Sequence, residues 1–396
     1  MELEHLLDCV ATRSVIRLQV DLTPASPDGL VCPPTYAAPK KSEPPHIPYR
    51  RAYVDGQQRD AVVLDSPQSQ SNRIELALLA AVRAQHIRYP DIEITFPGLE
   101  GEPAYSVLQL SHRIYDAVMR AVTLDKQPFF ETPIGRALLA ARPDKACALL
   151  EHAPICLTLG AWDSNGGGGP LSAKIPRLLT SEILGLDAVP ADISATKFDP
   201  MDIRSQVAEL MPTDNPVQRF TIRTAATKSK EKGKKPSEMG FGSVPATAVP
   251  RAAVISGAVQ TSVLSCSGLR HLHFPDAAGR LDPRRDQAAR ALLAAWTLYG
   301  LVAQNETGYL LRSRCELLPR DAGRLELIGR TLQERQEVSL QADTALALLD
   351  AAWRHAAECG LALREVPLKL AADERLVELV RRSRAAVAQS DGADEE

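Results

Sequence analysis

Residues 155–185 read ICLTLGAWDSNGGGGPLSAKIPRLLTSEILG, in which an apolar run, four glycines and a second apolar run follow one another. This order predicts a strand, a glycine-rich loop and a short helix. We expect the helix to begin at Pro176, because the residue before a proline disfavours helical geometry, and to end at Gly185. The loop therefore lies between a core strand and a helix start.

The glycines of this loop would let a ligand approach the backbone closely. Free N–H groups at the helix start, together with Lys174 and Arg177, favour an anion there. A nucleotide-binding P-loop needs a Gly-Lys-Ser/Thr ending at fixed spacing, which this stretch lacks. The alternative is a mobile surface loop with solvated charges. The glycines concerned are Gly166, Gly167, Gly168 and Gly169.

The composition is that of a globular protein. Its 396 residues, 45% of them hydrophobic, suffice for one large domain with insertions or for two ordinary domains. The N-terminus does not resemble a signal peptide and no run reaches membrane-spanning length, so we expect a cytoplasmic protein with no membrane partner. Seven scattered cysteines, without CxxC or a close Cys/His group, predict reduced thiols and no metal site. No feature predicts a cofactor.

The charge is unevenly distributed. The net charge is only -3, but residues 219–235 are strongly basic and the C-terminus is acidic. Nucleic-acid binding follows a local patch and not the average, so the net charge excludes little.

Polar residues precede the helix predicted for residues 72–85, whose Asn72 and Glu75 have capping-box spacing. They suit contacts with phosphate and sugar, although these residues taken alone favour the alternative, a well-capped helix with a polar turn. The residues that we single out are Ser66, Gln68, Gln70, Asn72 and Arg73.

Three further stretches carry candidate residues. Arg113 lies in a helix predicted for 111–122, and Phe241, between two glycines, could stack on a base or pin its loop to the core. Residues 308–317 alternate as a strand, which would place Arg312 and Arg314 side by side on one face.

The whole pattern predicts an α+β fold, since strands and helices are interspersed without a steady βα repeat. Residues 15–22 (VIRLQVDL) alternate with period two and predict the first core strand, and Thr132 before Pro133 predicts the start of a helix. We expect one composite domain with insertions around 23–60 and 186–250, a flexible basic loop at 225–242, and a disordered acidic tail at 388–396.

Several blocks of this sequence resemble one family, the Csb-one group of CRISPR-associated proteins, which is the Cas-seven-type backbone subunit of type I-G (formerly I-U) Cascade complexes. Pro176 departs from that family, in which an uninterrupted helix follows the glycine loop. The blocks are DSPQSQSNRIE (65–75), SHRIYDA (111–117), LGAWDSNGGGGPLSAK (159–174), TSEILG (180–185), GFGSVP (240–245) and GYLLRSRCEL (308–317).

The resemblance implies an RRM-like (ferredoxin-like) core of the RAMP superfamily and a non-catalytic subunit. Copies of it would oligomerise along a CRISPR guide RNA, hold the RNA by its backbone and present its bases to target DNA. Its implied partners are the guide RNA, target DNA through the guide, further copies of itself, a large subunit, a Cas-five/Cas-six-type subunit and a helicase-nuclease.

Two enzymatic alternatives exist. Asp163 lies in the glycine-rich loop and could support RNA cleavage with His112 or His271 as general acid or base, although a loop aspartate is more often a turn residue. The second alternative is a nucleotide-dependent enzyme. The glycine-rich loop lacks the P-loop spacing that such an enzyme needs, and no metal site is evident.

Overall fold

Residues 1–38, 46–54, 56–163, 174–204, 206–213, 218–224 and 232–390 are described in this computed structural model. Their strands are β1 (Val15–Pro24), β2 (Leu30–Val31), β3 (Tyr49–Val54), β4 (Gln57–Asp65), β5 (Ile92–Thr95), β6 (Ala104–Ser106), β7 (Val122–Leu124), β8 (Gln127–Pro128), β9 (Ala161–Trp162), β10 (Lys174–Ile175), β11 (Leu179–Leu186), β12 (Val189–Lys197), β13 (Leu210–Pro212), β14 (Phe220–Ile222), β15 (Val244–Val254), β16 (Gly257–Ser265), β17 (Tyr309–Arg312), β18 (Cys315–Pro319), β19 (Arg324–Ile328), β20 (Arg335–Val338) and β21 (Leu368–Ala372). Their α-helices are α1 (Leu3–Thr12), α2 (Pro67–Arg83), α3 (Pro133–Leu139), α4 (Cys147–His152), α5 (Cys156–Leu159), α6 (Cys266–Leu269), α7 (Pro283–Glu306), α8 (Ala342–Glu358) and α9 (Glu374–Ser390).

The predicted α+β fold class is confirmed, and the largest sheet is antiparallel. Its described strands run in the order β17-β18-β1-β16-β11-β4-β3, while β19 pairs with the other end of β1 and carries β20. Strand β1 alternates between half-buried and buried side chains, which confirms the strand predicted for residues 15–22.

Within this sheet lies a ferredoxin-like unit. In chain order it consists of β1, α2, β11, β16, α7 and β19, and in space the strands lie in the order β19-β1-β16-β11, each antiparallel to its neighbour. This is the split βαβ pattern, in which each helix connects two parallel strands that have a third strand between them. The fold therefore agrees with a RAMP-like core.

Helices α2 and α7 pack against each other on one side of the sheet. A Cβ atom at Gly300 of α7 would lie 2.9 Å from Cγ2 of Ile74 and 3.2 Å from Cγ of Leu78, so a side chain larger than hydrogen would force the helices apart. Residues 291–301 of α7 are all buried, which explains why this part of the helix is apolar on every face apart from Thr297.

The stretch 155–185 does not fold as its sequence predicts. Its first apolar run forms the short helix α5, and its last forms β11, where a helix from Pro176 was predicted. That prediction was wrong because LTSEILGL also alternates with period two, and pairing with β16 and β4 buries Leu179, Ser181 and Ile183. Among the described residues 174–186, no helix start therefore follows the glycine loop.

Three other predicted elements have different bounds. Helix α2 begins at Pro67 with Ser66 as its N-cap, five residues before the predicted capping box at Asn72. Residues 113–121 form two 3₁₀ turns, because Arg113 has a φ of 54° and Asp116 is extended. The strand predicted for 308–317 is the hairpin β17–β18, since the chain turns at Ser313 and Arg314.

The chain divides into two compact units. The first comprises residues 1–189 and 253–373, and the second residues 190–252 and 374–396. Part of the second unit thus coincides with the insertion predicted at 186–250. In the loop predicted at 225–242, residues 225–231 lie outside the described residues and Pro236–Met239 forms a 3₁₀ turn.

The other predicted insertion and the predicted tail contain regular elements. Strands β2 and β3 lie within the 23–60 insertion. Helix α9 continues to Ser390, so that only the last six residues of the predicted acidic tail lie outside the described residues. Among the described helices, none combines the length and apolarity that a membrane crossing needs.

Candidate nucleic-acid interface

An aspartate at the end of β4 brings two of the predicted arginines together. Asp65 is fully buried, and its Oδ2 lies 3.0 Å from Nε of Arg73, while its Oδ1 lies 3.5 Å from Nη2 of Arg312. Arg73 also donates to the backbone oxygen of Leu311 at 2.8 Å, which joins α2 to β17. The two arginine side chains remain 29% and 28% exposed, so each guanidinium is held from inside and still reaches solvent.

Arg314 is a further cation, two residues along the chain from Arg312. It is exposed in the turn between β17 and β18, and its backbone oxygen accepts a hydrogen bond from Cys32 N at 2.8 Å. Arg312 donates to the backbone oxygen of the same cysteine at 3.4 Å. Among the described residues no partner contacts the Arg314 guanidinium. Arg73 and Arg312 against the single carboxylate of Asp65 leave an excess of positive charge, which is the arrangement that favours phosphate.

Gln70 has a structural role instead of the predicted ligand contact. It has no exposed surface, and its Nε2 donates to Asp65 Oδ2 at 2.6 Å. Its Oε1 accepts from Ser181 (2.8 Å), Gln260 (2.9 Å) and Gln304 (3.1 Å). These bonds connect α2 to the sheet and to α7, and they fix the end of β4 where the arginines converge.

The remaining polar residues of this stretch lie on the first turns of α2. Ser66 caps the helix by accepting a hydrogen bond from Ser69 N at 3.3 Å, whereas Gln68 and Asn72 are exposed. The two exposed side chains are thus available to a ligand beside Arg73, and Ser66 is already used.

Arg113 is also structural, because it is 7% exposed and paired. Its Nε lies 2.5 Å from Oε1 of Glu75, its Nη2 lies 3.1 Å from Oε2, and its Nη1 donates to Gly160 O at 3.0 Å. Burial raises the pKa of Glu75, and the positive charges of Arg113 and Arg177 oppose that rise. The pair locks α2 to the segment that precedes the glycine loop.

Arg177 lies beside the ion pair of Glu75 and Arg113. Its Nε donates to the backbone oxygen of Leu159 at 3.2 Å, and burial, then the neighbouring Arg113, lowers its pKa. Gly160 has a φ of 83°, and a Cβ atom there would lie 3.0 Å from Arg177 N. Because of this contact and this φ, the close approach between the two segments requires glycine at position 160.

Lys174 flanks the glycine loop and is exposed. It pairs with Trp162 in the two-residue ladder of β10 and β9. The four predicted glycines, 166–169, lie outside the described residues. Lys174 is therefore on a strand, and the helix dipole that we expected to assist it is absent from the described neighbourhood.

The aspartate required by the ribonuclease alternative is buried. Asp163 is 3% exposed, and its Oδ1 lies 2.6 Å from Nη2 of Arg120. His112 pairs instead with Asp116 at 3.5 Å, and the described residues contain no group of three His, Cys, Asp or Glu side chains that could hold a metal ion. Asp163 therefore has the environment of a structural ion pair and lacks that of an accessible base.

Phe241 belongs to the second unit. Its ring lies 5.1 Å from that of Phe220 in an edge-on arrangement, and the residue is partly exposed. Such a pair contributes to packing within the second unit, and because the ring stays partly exposed, stacking on a base remains a prediction.

Sequence reasoning missed the carboxylates that hold these arginines. Asp65 directly follows the buried run AVVL, and Glu75 stands between apolar positions of α2, so each interrupts an apolar pattern with a charge. A charge at a position that the pattern assigns to the core needs a partner, and this signal could have predicted both pairs.

The structure therefore belongs to the α+β class, with a ferredoxin-like unit and a buried carboxylate, Asp65, that holds two arginines. Residues 16–190, less than half of the chain, match the family of CRISPR-associated protein GSU0053. The match includes α2, Arg113 and the glycine loop, and it supports a CRISPR-associated protein with a role in CRISPR defence. No curated protein matches this chain.

Proposed function

We propose that this protein is a guide-RNA-binding backbone subunit of a CRISPR effector complex, of the Cas-seven type in subtype I-G. The observation that carries the proposal is the pair Arg73 and Arg312 on the buried Asp65, because it fixes two guanidinium groups at the surface with positive charge in excess. The family match and the ferredoxin-like strand order support it.

The chemistry of these residues suits a backbone contact. Guanidinium groups held in place lose little conformational freedom when they bind phosphate, and Lys174 supplies a flexible point charge beside the glycine loop. Neither type of contact reads base identity. A subunit that must accept any guide sequence needs this property, since base pairing with target DNA supplies the specificity.

Oligomerisation along the guide follows from the same logic. A sequence-independent site can recur along one RNA, so further copies of this chain, and other subunits at the ends, would share a single guide. DNA cleavage would then belong to a separate helicase-nuclease.

Removing two exposed cations tests the guide contact. We expect the double variant Lys174→Ala, Arg314→Ala to bind repeat-spacer RNA about tenfold more weakly at 0.15 M salt, uniformly across spacer sequences. The slope of log K against log salt should flatten by about 0.7 for each lost phosphate contact to single-stranded RNA. Fluorescence anisotropy over a salt series measures both quantities.

The matched control is Arg136→Ala with Arg354→Ala, which removes two exposed charges from α3 and α8. Its affinity should equal that of the unmodified protein. A loss confined to some spacers, or equal losses in both double variants, would contradict the proposal.

We also propose that the subunit is not catalytic. Complementary RNA incubated with the guide-loaded protein and magnesium should remain intact, because Asp163 is occupied by Arg120. Denaturing gel electrophoresis checks this expectation. Regular cleavage that disappears in Asp163→Ala would overturn it, whereas cleavage retained in that variant would indicate a contaminating nuclease.

A further inference from the structure

Trp162 places a large aromatic ring at the surface, beside the glycine loop. It is 59% exposed, whereas the other two tryptophans of the chain, Trp296 and Trp353, are 1% and 3% exposed. The rings of those two lie 5.8 Å apart in an edge-on arrangement, and Tyr89 packs on Trp296 at 5.4 Å. Among the described residues no aromatic ring packs on Trp162. Its indole therefore contributes little to the core and is open to a ligand.

The register of the β9–β10 ladder determines which way the indole faces. Ala161 pairs with Ile175, and Trp162 pairs with Lys174. Ala161 and Ile175 are buried, so their pair points into the protein. Because side chains alternate along a strand, Trp162 and Lys174 share the outer side of the ladder. Residues directly opposite each other in an antiparallel pair have Cβ atoms about 4.5–5.5 Å apart, so the indole and the lysine side chain are neighbours.

The residues on either side hold Trp162 in place. Asp163 is buried, and its Oδ1 lies 2.6 Å from Nη2 of Arg120. On the other side, the backbone oxygen of Gly160 accepts a hydrogen bond from Arg113 at 3.0 Å. A tryptophan side chain has only two rotatable torsions, so on a backbone fixed at both sides it loses little conformational entropy when a ligand stacks on it.

The charges around the indole favour an anion next to it. The carboxylate of Asp163 is neutralised by Arg120, so it does not compete for Lys174. Lys174 is exposed, and within the described part of the chain no hydrogen bond or ion pair reaches its ammonium group. An aromatic ring beside such a cation suits single-stranded nucleic acid, in which each base is followed by a phosphate.

We propose that Trp162 stacks on one base of the guide RNA while Lys174 contacts the adjacent phosphate. This inference rests on the proposed function, because it names how one nucleotide is held beside the glycine loop. Every base has an aromatic face, so stacking tolerates any guide sequence. Stacking also leaves the hydrogen-bonding edge of the base open, so the base can still pair with target DNA.

Tryptophan fluorescence tests the stack directly, since Trp162 is the exposed one of the three tryptophans. We expect acrylamide to quench one component of the emission of the full-length protein, and we expect Trp162→Phe to lack that component. Saturating repeat-spacer RNA should quench the same component and protect it from acrylamide. RNA binding that leaves the acrylamide quenching unchanged would overturn the proposal. A quenchable component that persists in Trp162→Phe would show that Trp162 is shielded in the free protein and would overturn it as well.

Two substitutions of this tryptophan separate the ring from its apolar bulk. Trp162→Phe should bind repeat-spacer RNA within about threefold of the unmodified protein, whereas Trp162→Leu should bind it about tenfold more weakly, because a base stacks on a flat ring. Both melting temperatures should stay unchanged, since the side chain is exposed. Unchanged affinity in Trp162→Leu, or equal losses in the two variants, would contradict stacking. The fluorescence measurement uses the unmodified protein, so it remains decisive if a variant folds poorly.

Failure of the stack can be told apart from failure of the proposed function. The Lys174→Ala, Arg314→Ala variant should bind RNA more weakly, yet at saturating RNA it should still show protection of Trp162. Salt-dependent binding of repeat-spacer RNA without any change in the Trp162 emission would overturn the stack alone. Absence of repeat-spacer RNA binding by the unmodified protein would overturn both proposals.

Discussion

Replacing Arg113 with alanine should lower the free energy of unfolding by about 3 to 5 kcal/mol. The variant leaves the carboxylate of Glu75, which is 2% exposed, without its bidentate partner, and it leaves Gly160 O without a donor. Urea unfolding followed by circular dichroism measures the change. Arg136→Ala, at an exposed position of α3, is the control and should stay within about 0.5 kcal/mol.

The loss of unfolding free energy caused by Arg113→Ala should depend on pH. Burial already raises the pKa of Glu75, and removal of the arginine raises it further, so the folded state binds a proton more tightly than the unfolded state does. Stability then falls as pH rises above the unfolded value of about 4.3, and the deficit is smaller at pH 4.5 than at pH 7.

A second variant separates the lost charge pair from lost packing. Glu75→Leu combined with Arg113→Met removes both charges and should recover much of the stability, because apolar residues often replace a buried ion pair at little cost. A deficit in Arg113→Ala that is below 1 kcal/mol and independent of pH would show that Glu75 finds another partner.

Replacing Asp65 with alanine should lower the free energy of unfolding by about 3 kcal/mol. The change removes the carboxylate between Arg73 and Arg312 and leaves the amide of Gln70 without its acceptor. The arginines can turn to solvent, so we expect a smaller loss than for a fully buried cation. Thermal and urea unfolding measure this difference.

The control for Asp65 lies on the same strand. Asp60 of β4 is 72% exposed and pairs with Arg51 at 3.5 Å, so Asp60→Ala should change stability by less than about 0.5 kcal/mol. Asp65→Ala should also weaken guide RNA binding, since both guanidinium groups lose their fixed position. Equal stability losses at the two positions would mean that Asp65 does not organise the cluster.

Local patterns in the sequence were sufficient for several elements. The alternation of VIRLQVDL predicts β1, and Thr132 before Pro133 predicts the start of α3, where Thr132 accepts a hydrogen bond from Gly135 N. These predictions hold because a period of two and a capping side chain act over a few residues. The α+β class follows from such elements taken together.

The candidate site was only partly predictable. The sequence singled out Arg73, Arg312 and Arg314 by type and by their blocks, but it placed the last two on one face of a strand that is a hairpin. It also assigned Gln70 and Arg113 to a ligand, although both side chains are buried. Their burial depends on residues far away in the chain, which a local pattern does not show. The residue type shows which interactions a side chain can make, whereas its exposure depends on which distant residues pack against it.

The sequence by itself determined the class of the fold, the core strand β1 and the supply of cations around α2 and the glycine loop. Only the tertiary structure decided that residues 179–186 form a strand, because pairing with β16 and β4 outweighs a local pattern that suits a helix equally well. It also decided that Asp65 joins Arg73 to Arg312, which is far away in sequence. Pairing and burial are long-range properties, and a local pattern cannot specify them.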